Sequence, residues 1–194
     1  MEISKSKLTA EELLHLAIES SKKDNSESAI TYLKRAIEIN PNDGRSHYLL
    51  AAEHAQIGMY EQAVEEMAHA IQLDPTLHTA SFQLGLLHLT AGHIEQAISA
   101  WDALNTLGED NFLFLFQSGM THLIRDEFDL CIEKLERGIK LNNVNPMLNN
   151  DMQRIINEAQ IKVNELGQQP PPDDTPPSAG THHAYISAYT NVKS

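Results

Sequence analysis

The chain has 194 residues, 41% of them apolar, and a formal net charge of −13. That length suits one folded body with extensions, and so acidic a balance makes nucleic acid and anionic membrane poor partners, because both carry phosphate. A single cysteine, Cys131, excludes an intrachain disulfide, and the opening MEISKSKLTAEELL has no apolar core of signal-peptide length.

After a lead-in over residues 1–8, apolar side chains recur at helical spacing. The predicted helices come in pairs: 11–23 with 27–40, 44–57 with 61–73, 78–91 with 95–107, and 112–124 with 129–141. In the second pair, Tyr48, Leu49, Ala51, Ala52 and Ala55 mark one helix, and Ala63, Val64, Met67, Ala70 and Ile71 mark the next. Between them Gly58 supplies a residue able to take the left-handed conformation that ends a helix. Beyond them Asp74-Pro75 stops the chain, since proline has no amide donor and restricts its predecessor.

The pairs are copies of one unit. Ala29, Ala63, Ala97 and Cys131 stand at a constant step of 34 residues, as do Ala17, Ala51, Gly85 and Gly119. Larger apolar residues keep the same step at Leu33, Met67, Trp101 and Leu135, and at Ile30, Val64, Ile98 and Ile132. A period of this length marks a stacked-repeat solenoid, in which each helix pair is too small to bury its own apolar face. The small columns belong where the two helices of a pair cross closely, so Cys131 reads as a packing residue and not as a nucleophile.

Residues 145–166 form a further predicted helix, opened by Pro146 and carrying Met147, Leu148, Met152, Ile155, Ile156, Ala159, Ile161 and Val163. It has the character of a cap over the last exposed face of a solenoid. From Gly167 to Pro177 the composition turns to Pro, Gln and Asp, an extended linker that cannot be helical. The final stretch carries Tyr185, Ile186, Tyr189 and Val192, at i, i+1, i+4 and i+7 on one face of a short helix. That spacing predicts a tail able to act as a ligand.

Ala51, Gly58, Tyr60, Ala63, Ala70 and Pro75, with Leu84, Gly85, Gly92 and Ala97 one unit later, resemble the motif of the tetratricopeptide repeat family. The resemblance covers Thr9 to Asn143. It implies an all-α, right-handed superhelical solenoid of four helix pairs, at about 10–43, 44–77, 78–111 and 112–144, closed by the capping helix 145–166 and followed by the tail 167–194. Departures at Leu104, Glu109, Ser118 and Asn143 predict looser packing in the third and fourth repeats.

The resemblance also implies a non-enzymatic protein-binding role, with no cofactor. Its best-defined ligand mode, a basic and amide clamp on a terminal carboxylate, would fall on Leu14, Ile18, Leu49, Thr79 and Gln83, none of which is Lys, Arg or Asn. The columns that the family turns to its concave side are largely apolar instead. They run Leu14, Tyr48, Phe82, Phe116; then Ile18, Ala52, Leu86, Met120; then Ser21, Ala55, Leu89, Leu123. If open, they form a groove for an apolar or amphipathic peptide; if closed, they are core. A self-associating protein whose tail docks in its own or a neighbour's groove is the alternative, as is an export-type chaperone like small acidic members of the family in bacteria. Three of the ten histidines, His54, His88 and His122, share a column where the family has an aromatic, and adjacent repeats set equivalent residues too far apart for one zinc ion. No run is long enough to span a bilayer, and a cytoplasmic protein is the expectation.

Overall fold

The computed structural model describes residues 8–167, and every regular element among them is helical. The described residues divide into two compact units, with the boundary between Leu87 and His88.

The first unit opens with α1 (Ala10–Ser21) and α2 (Ser26–Ile39). A reciprocal cap starts α1: Glu12 N–H donates to Thr9 Oγ1 at 3.2 Å, and Thr9 N–H donates to Glu12 Oε2 at 2.8 Å. Asp24 takes a left-handed φ of 55° in the turn that follows, and Asn25 caps α2 by accepting from Ser28 N–H. The next pair is α3 (Gly44–Gln56) and α4 (Tyr60–Leu73), joined through Gly58 at φ 80°. Helix α5 (His78–Thr90) follows, with the boundary between the units inside it.

Leu14, Ala17, Leu33 and Leu50 form the core of α1 to α3, with Ile18, Ile30, Tyr32, Ile37 and Leu49 packed against them. Helices approach closely where the sequence supplies small residues: Ala29, Ala36, Ala51, Ala63 and Ala70 are all completely enclosed. Gly44 is held to glycine by its neighbour helix, because a Cβ there would lie 2.9 Å from the Ala70 carbonyl oxygen.

In the second unit α6 (Ile94–Trp101) leads into a 3₁₀ helix over Asp102–Leu107, then α7 (Phe112–Ile124), α8 (Phe128–Leu141) and α9 (Pro146–Gly167). The helix expected over 95–107 therefore changes its winding halfway. Leu104 stands where the other second helices have Ala36, Ala70 and Gly138, and a leucine does not fit that close approach. The tighter 3₁₀ winding resets the side-chain directions after Trp101, and Leu104 ends fully enclosed. The looser packing expected at this departure is thus corrected, since Ala97, Trp101 and Leu104 are all at most 1% exposed.

The missing closing proline after α8 is replaced by an asparagine network. Buried Asn142 accepts from the amides of Val144 and Asn145 through Oδ1, and donates through Nδ2 to Asn145 O and Asn149 Oδ1. Asn149 donates back to the Asn142 carbonyl at 3.0 Å, and Asn145 caps α9 by accepting from Leu148 N–H. Four side-chain bonds from Asn142 do what a proline does elsewhere: they end one helix and aim the next. Helix α9 then buries Leu148, Met152, Ile155, Ile156 and Ala159.

Candidate partner-binding surface

The residues expected to line a groove separate into two groups once side-chain burial is known. In the first unit, Ile18 on α1, Tyr48 and Ala52 on α3, and Leu86 on α5 are half-buried, keeping apolar area available to a ligand. Leu14 is 5% exposed and Phe82 is fully enclosed. Those two offer a ligand almost no area. Burial pushes the Tyr48 phenol above the ordinary tyrosine range, and a hydrogen bond with Gln83 partly offsets this. Among the described residues no Lys or Arg stands at the positions of the carboxylate clamp, where Leu14, Ile18, Leu49, Thr79 and Gln83 are found.

In the second unit the same reading is restricted further. Leu89 is buried, Phe116 and Met120 are completely enclosed, and Leu123 is half-buried. Phe116 and Phe112 meet edge to face, with ring centres 5.7 Å apart. Phe116 and Met120 are core because α7 packs both on α8 and on the 3₁₀ helix, which a column of residues 34 apart cannot reveal. Tyr185, Ile186, Tyr189 and Val192 lie outside the described residues.

One polar feature escaped the sequence reading. His47, only 7% exposed, sits between two oxygens, with Nδ1 2.6 Å from Glu66 Oε2 and Nε2 3.0 Å from the Pro41 carbonyl. Its ring also meets His69 edge-on at 4.5 Å. The side chain ties α3 to α4 and to the turn before α3. Glu66 lies 19 residues from His47, so only the antiparallel pairing of α3 and α4 brings them together.

The histidine column behaves as three separate environments. His54 is buried, its Nδ1 has no hydrogen-bond partner, and burial lowers its pKa, with Lys34 adding to the shift and Glu66 opposing it. His88 is lowered by burial and by His93. His122 Nδ1 lies 2.5 Å from Glu127 Oε2. Among the described residues no three His, Cys, Asp or Glu side chains gather to hold a metal ion. Cys131 is fully enclosed, and burial pushes its thiol up to about 12, so it stays an unreactive packing group.

Further exposed apolar side chains of the first unit lie at the end of α2, where Ile39 is 55% exposed, and at the α3–α4 turn, where Ile57 is 47%, Met59 38% and Tyr60 43% exposed. Apolar residues on both sides of a turn glycine were the available signal. Among the described residues no helix is long and apolar enough to cross a membrane. From Ser46 to Ile124 the chain carries no Lys or Arg but nine Asp and Glu residues, so an anion meets repulsion along that whole stretch.

Two tetratricopeptide repeat models match the chain, at residues 13–43 and 32–65. No curated protein matches the sequence significantly. Solved structures share the fold. A chain of the APC/C hetero-tetramer Cut9-Hcn1 superposes with a TM-score of 0.71 at 19% identity, over 80% of this chain and 30% of that one. This chain therefore spans less than a third of that relative's length. MamA from Desulfovibrio magneticus RS-1 gives a TM-score of 0.57 at 19% identity, covering 82% and 95% of the two chains. YrrB, described as a TPR protein with an unusual peptide-binding site, gives 0.50 at 23% identity over 56% of each chain.

Proposed function

Because the chain is a tetratricopeptide-repeat protein, whose fold serves protein interaction, we propose that it is a non-enzymatic adaptor whose first unit receives an apolar or amphipathic segment of a partner protein. The observation that carries this reading is the half-buried apolar set Ile18, Tyr48, Ala52 and Leu86. Fully burying a Leu, Ile or Phe side chain contributes roughly 1.5–3 kcal/mol, and half-buried residues have part of that still to gain. Several such contacts together offset the cost of ordering a short peptide. Electrostatics argue for the same class of ligand. Tyr48, Ala52 and Leu86 lie in a stretch free of Lys and Arg, which cannot grip a phosphate or a carboxylate by those charges, so recognition there falls to apolar area and shape.

Selection of displayed peptides on the full chain tests the reading. Enriched peptides should carry apolar residues at helical spacing, and Tyr48→Ala should weaken their binding by about tenfold. Their affinity should hold as salt rises. Enrichment of basic peptides whose affinity collapses with salt would instead make the acidic face the docking surface.

A further inference from the structure

The end of α9 forms one wall of a cleft in the second unit. Leu130, Val163 and Leu166 supply apolar lining, and Asp126, Glu127 and Asp129 add three carboxylates, around a volume of about 390 Å³. That size lies toward the lower end of the roughly 300–1,000 Å³ found for ligand sites. Leu130 is 43% and Leu166 54% exposed, so the apolar part is open. Glu127 also faces His122 Nδ1, and among the described residues no Lys or Arg lines the cleft. An apolar floor with acidic groups fits a segment that presents an apolar side chain next to a cation.

The chain supplies such a segment close by. Leu166, in the cleft wall, is followed by Gly167, the last residue of α9, so the residues after 167 leave from beside the cleft. Those residues contain Tyr185, Ile186, Tyr189 and Val192, and then Lys193, the one Lys or Arg beyond Lys162. The ten residues from Gln168 to Pro177 reach about 31 Å when extended, at about 3.1 Å per residue, far more than a return to their own starting point requires. A tether of this kind holds a segment at roughly millimolar effective concentration.

We propose that residues 185–193 dock in this cleft of their own chain, with apolar side chains against Leu130, Val163 and Leu166 and Lys193 against the carboxylate of Asp129. The site is distinct from the first-unit surface and does not depend on it. The docked segment covers apolar area that α9 leaves open.

A photo-crosslinking benzophenone residue at position 130 of the full-length protein reports the contact. The expected result is crosslinking to residues 185–193 of the same chain, with a yield independent of protein concentration. Val192→Asp should lower the yield by about tenfold. Lys193→Glu should lower it by about threefold, and adding Asp129→Lys should restore it. The same benzophenone at position 144, which is 78% exposed in the wild type and lies at the opposite ends of α8 and α9 from the cleft, should capture little of the segment. Crosslinks between chains, crosslinks elsewhere, equal capture at position 144, or a yield indifferent to Val192→Asp would each overturn the proposal.

Discussion

Gly138 on α8 lies so close to Phe116 on α7 that a methyl group there would stand 2.4 Å from Phe116 Cε1. The ring cannot give way, since Phe116 is completely enclosed. Replacing a helical glycine by alanine normally gains up to about 1 kcal/mol of helix propensity, but overpacking costs about 1–3 kcal/mol. Gly138→Ala is therefore expected to destabilise the second unit despite its better propensity. Trp101, the one tryptophan and a buried residue of that unit, reports its unfolding by fluorescence. A rise in the denaturant midpoint would show that the two helices can separate at no cost. Phe116→Leu should relieve part of the penalty, so the two changes should couple instead of adding.

Phe116→Ala should cost about 3–5 kcal/mol of stability, because it opens a cavity in a packed core. As a groove residue it would have affected ligand capture alone. Its complete burial makes stability the expected readout, measured by the same Trp101 transition. Wild-type stability with lost peptide binding would return this position to the surface.

Ala63→Leu should destabilise the first unit by about 1–3 kcal/mol. Ala63 is fully enclosed at the start of α4, and its column admits only Ala and Cys. Circular dichroism in denaturant, supported by amide exchange over residues 44–73, reads the loss. An unchanged midpoint would mean that α3 and α4 do not pack at this residue.

His54 sets a pH dependence. Burial holds its pKa below the ordinary 6.5, assisted by Lys34 and opposed by Glu66. A depressed folded-state pKa means the unfolded chain takes up the proton first. The stability is thus fully present above about pH 6.5 and declines as pH falls from there toward the folded value. His54→Phe removes the titrating group and keeps an aromatic side chain, so first-unit stability should vary less between about pH 7 and about pH 5. An identical slope in wild type and variant would remove His54 as its source. The lowered His88, with His93 beside it, predicts the same sign for its own contribution.

Tyr48→Ala should reduce capture of apolar peptides while the first unit stays folded, since Tyr48 is half-buried and not at the centre of the core. The cost to stability should stay within the part of its side chain already covered, on the order of 1–2 kcal/mol. Binding followed by fluorescence anisotropy at low and high salt separates this surface from an acidic docking face. Full retention of affinity would remove Tyr48 from the contact.

The repeat and the helices were legible in the chain because they follow from local rules and a period. Small residues at a constant step of 34 locate the close crossings, and apolar spacing locates the helices, most to within two residues at either end. Pro75 and Gly58 punctuate the second repeat by their own backbone chemistry. The change to 3₁₀ winding after Trp101 was marked by Leu104 but not readable from it, because a large residue in a small column can loosen a contact or rewind the backbone. The Asn142 network needed the turn geometry that brings Asn145 and Asn149 to it, and His47 needed the pairing of α3 with α4 to meet Glu66. The identity of the surface was decided only in three dimensions. Leu14, Phe82, Leu89, Phe116 and Met120 share columns with Ile18, Tyr48, Ala52, Leu86 and Leu123, yet the first five are buried and the others half-buried. A sequence column records which direction a side chain takes from its own helix. Whether another helix stands in that direction is a property of the packed fold.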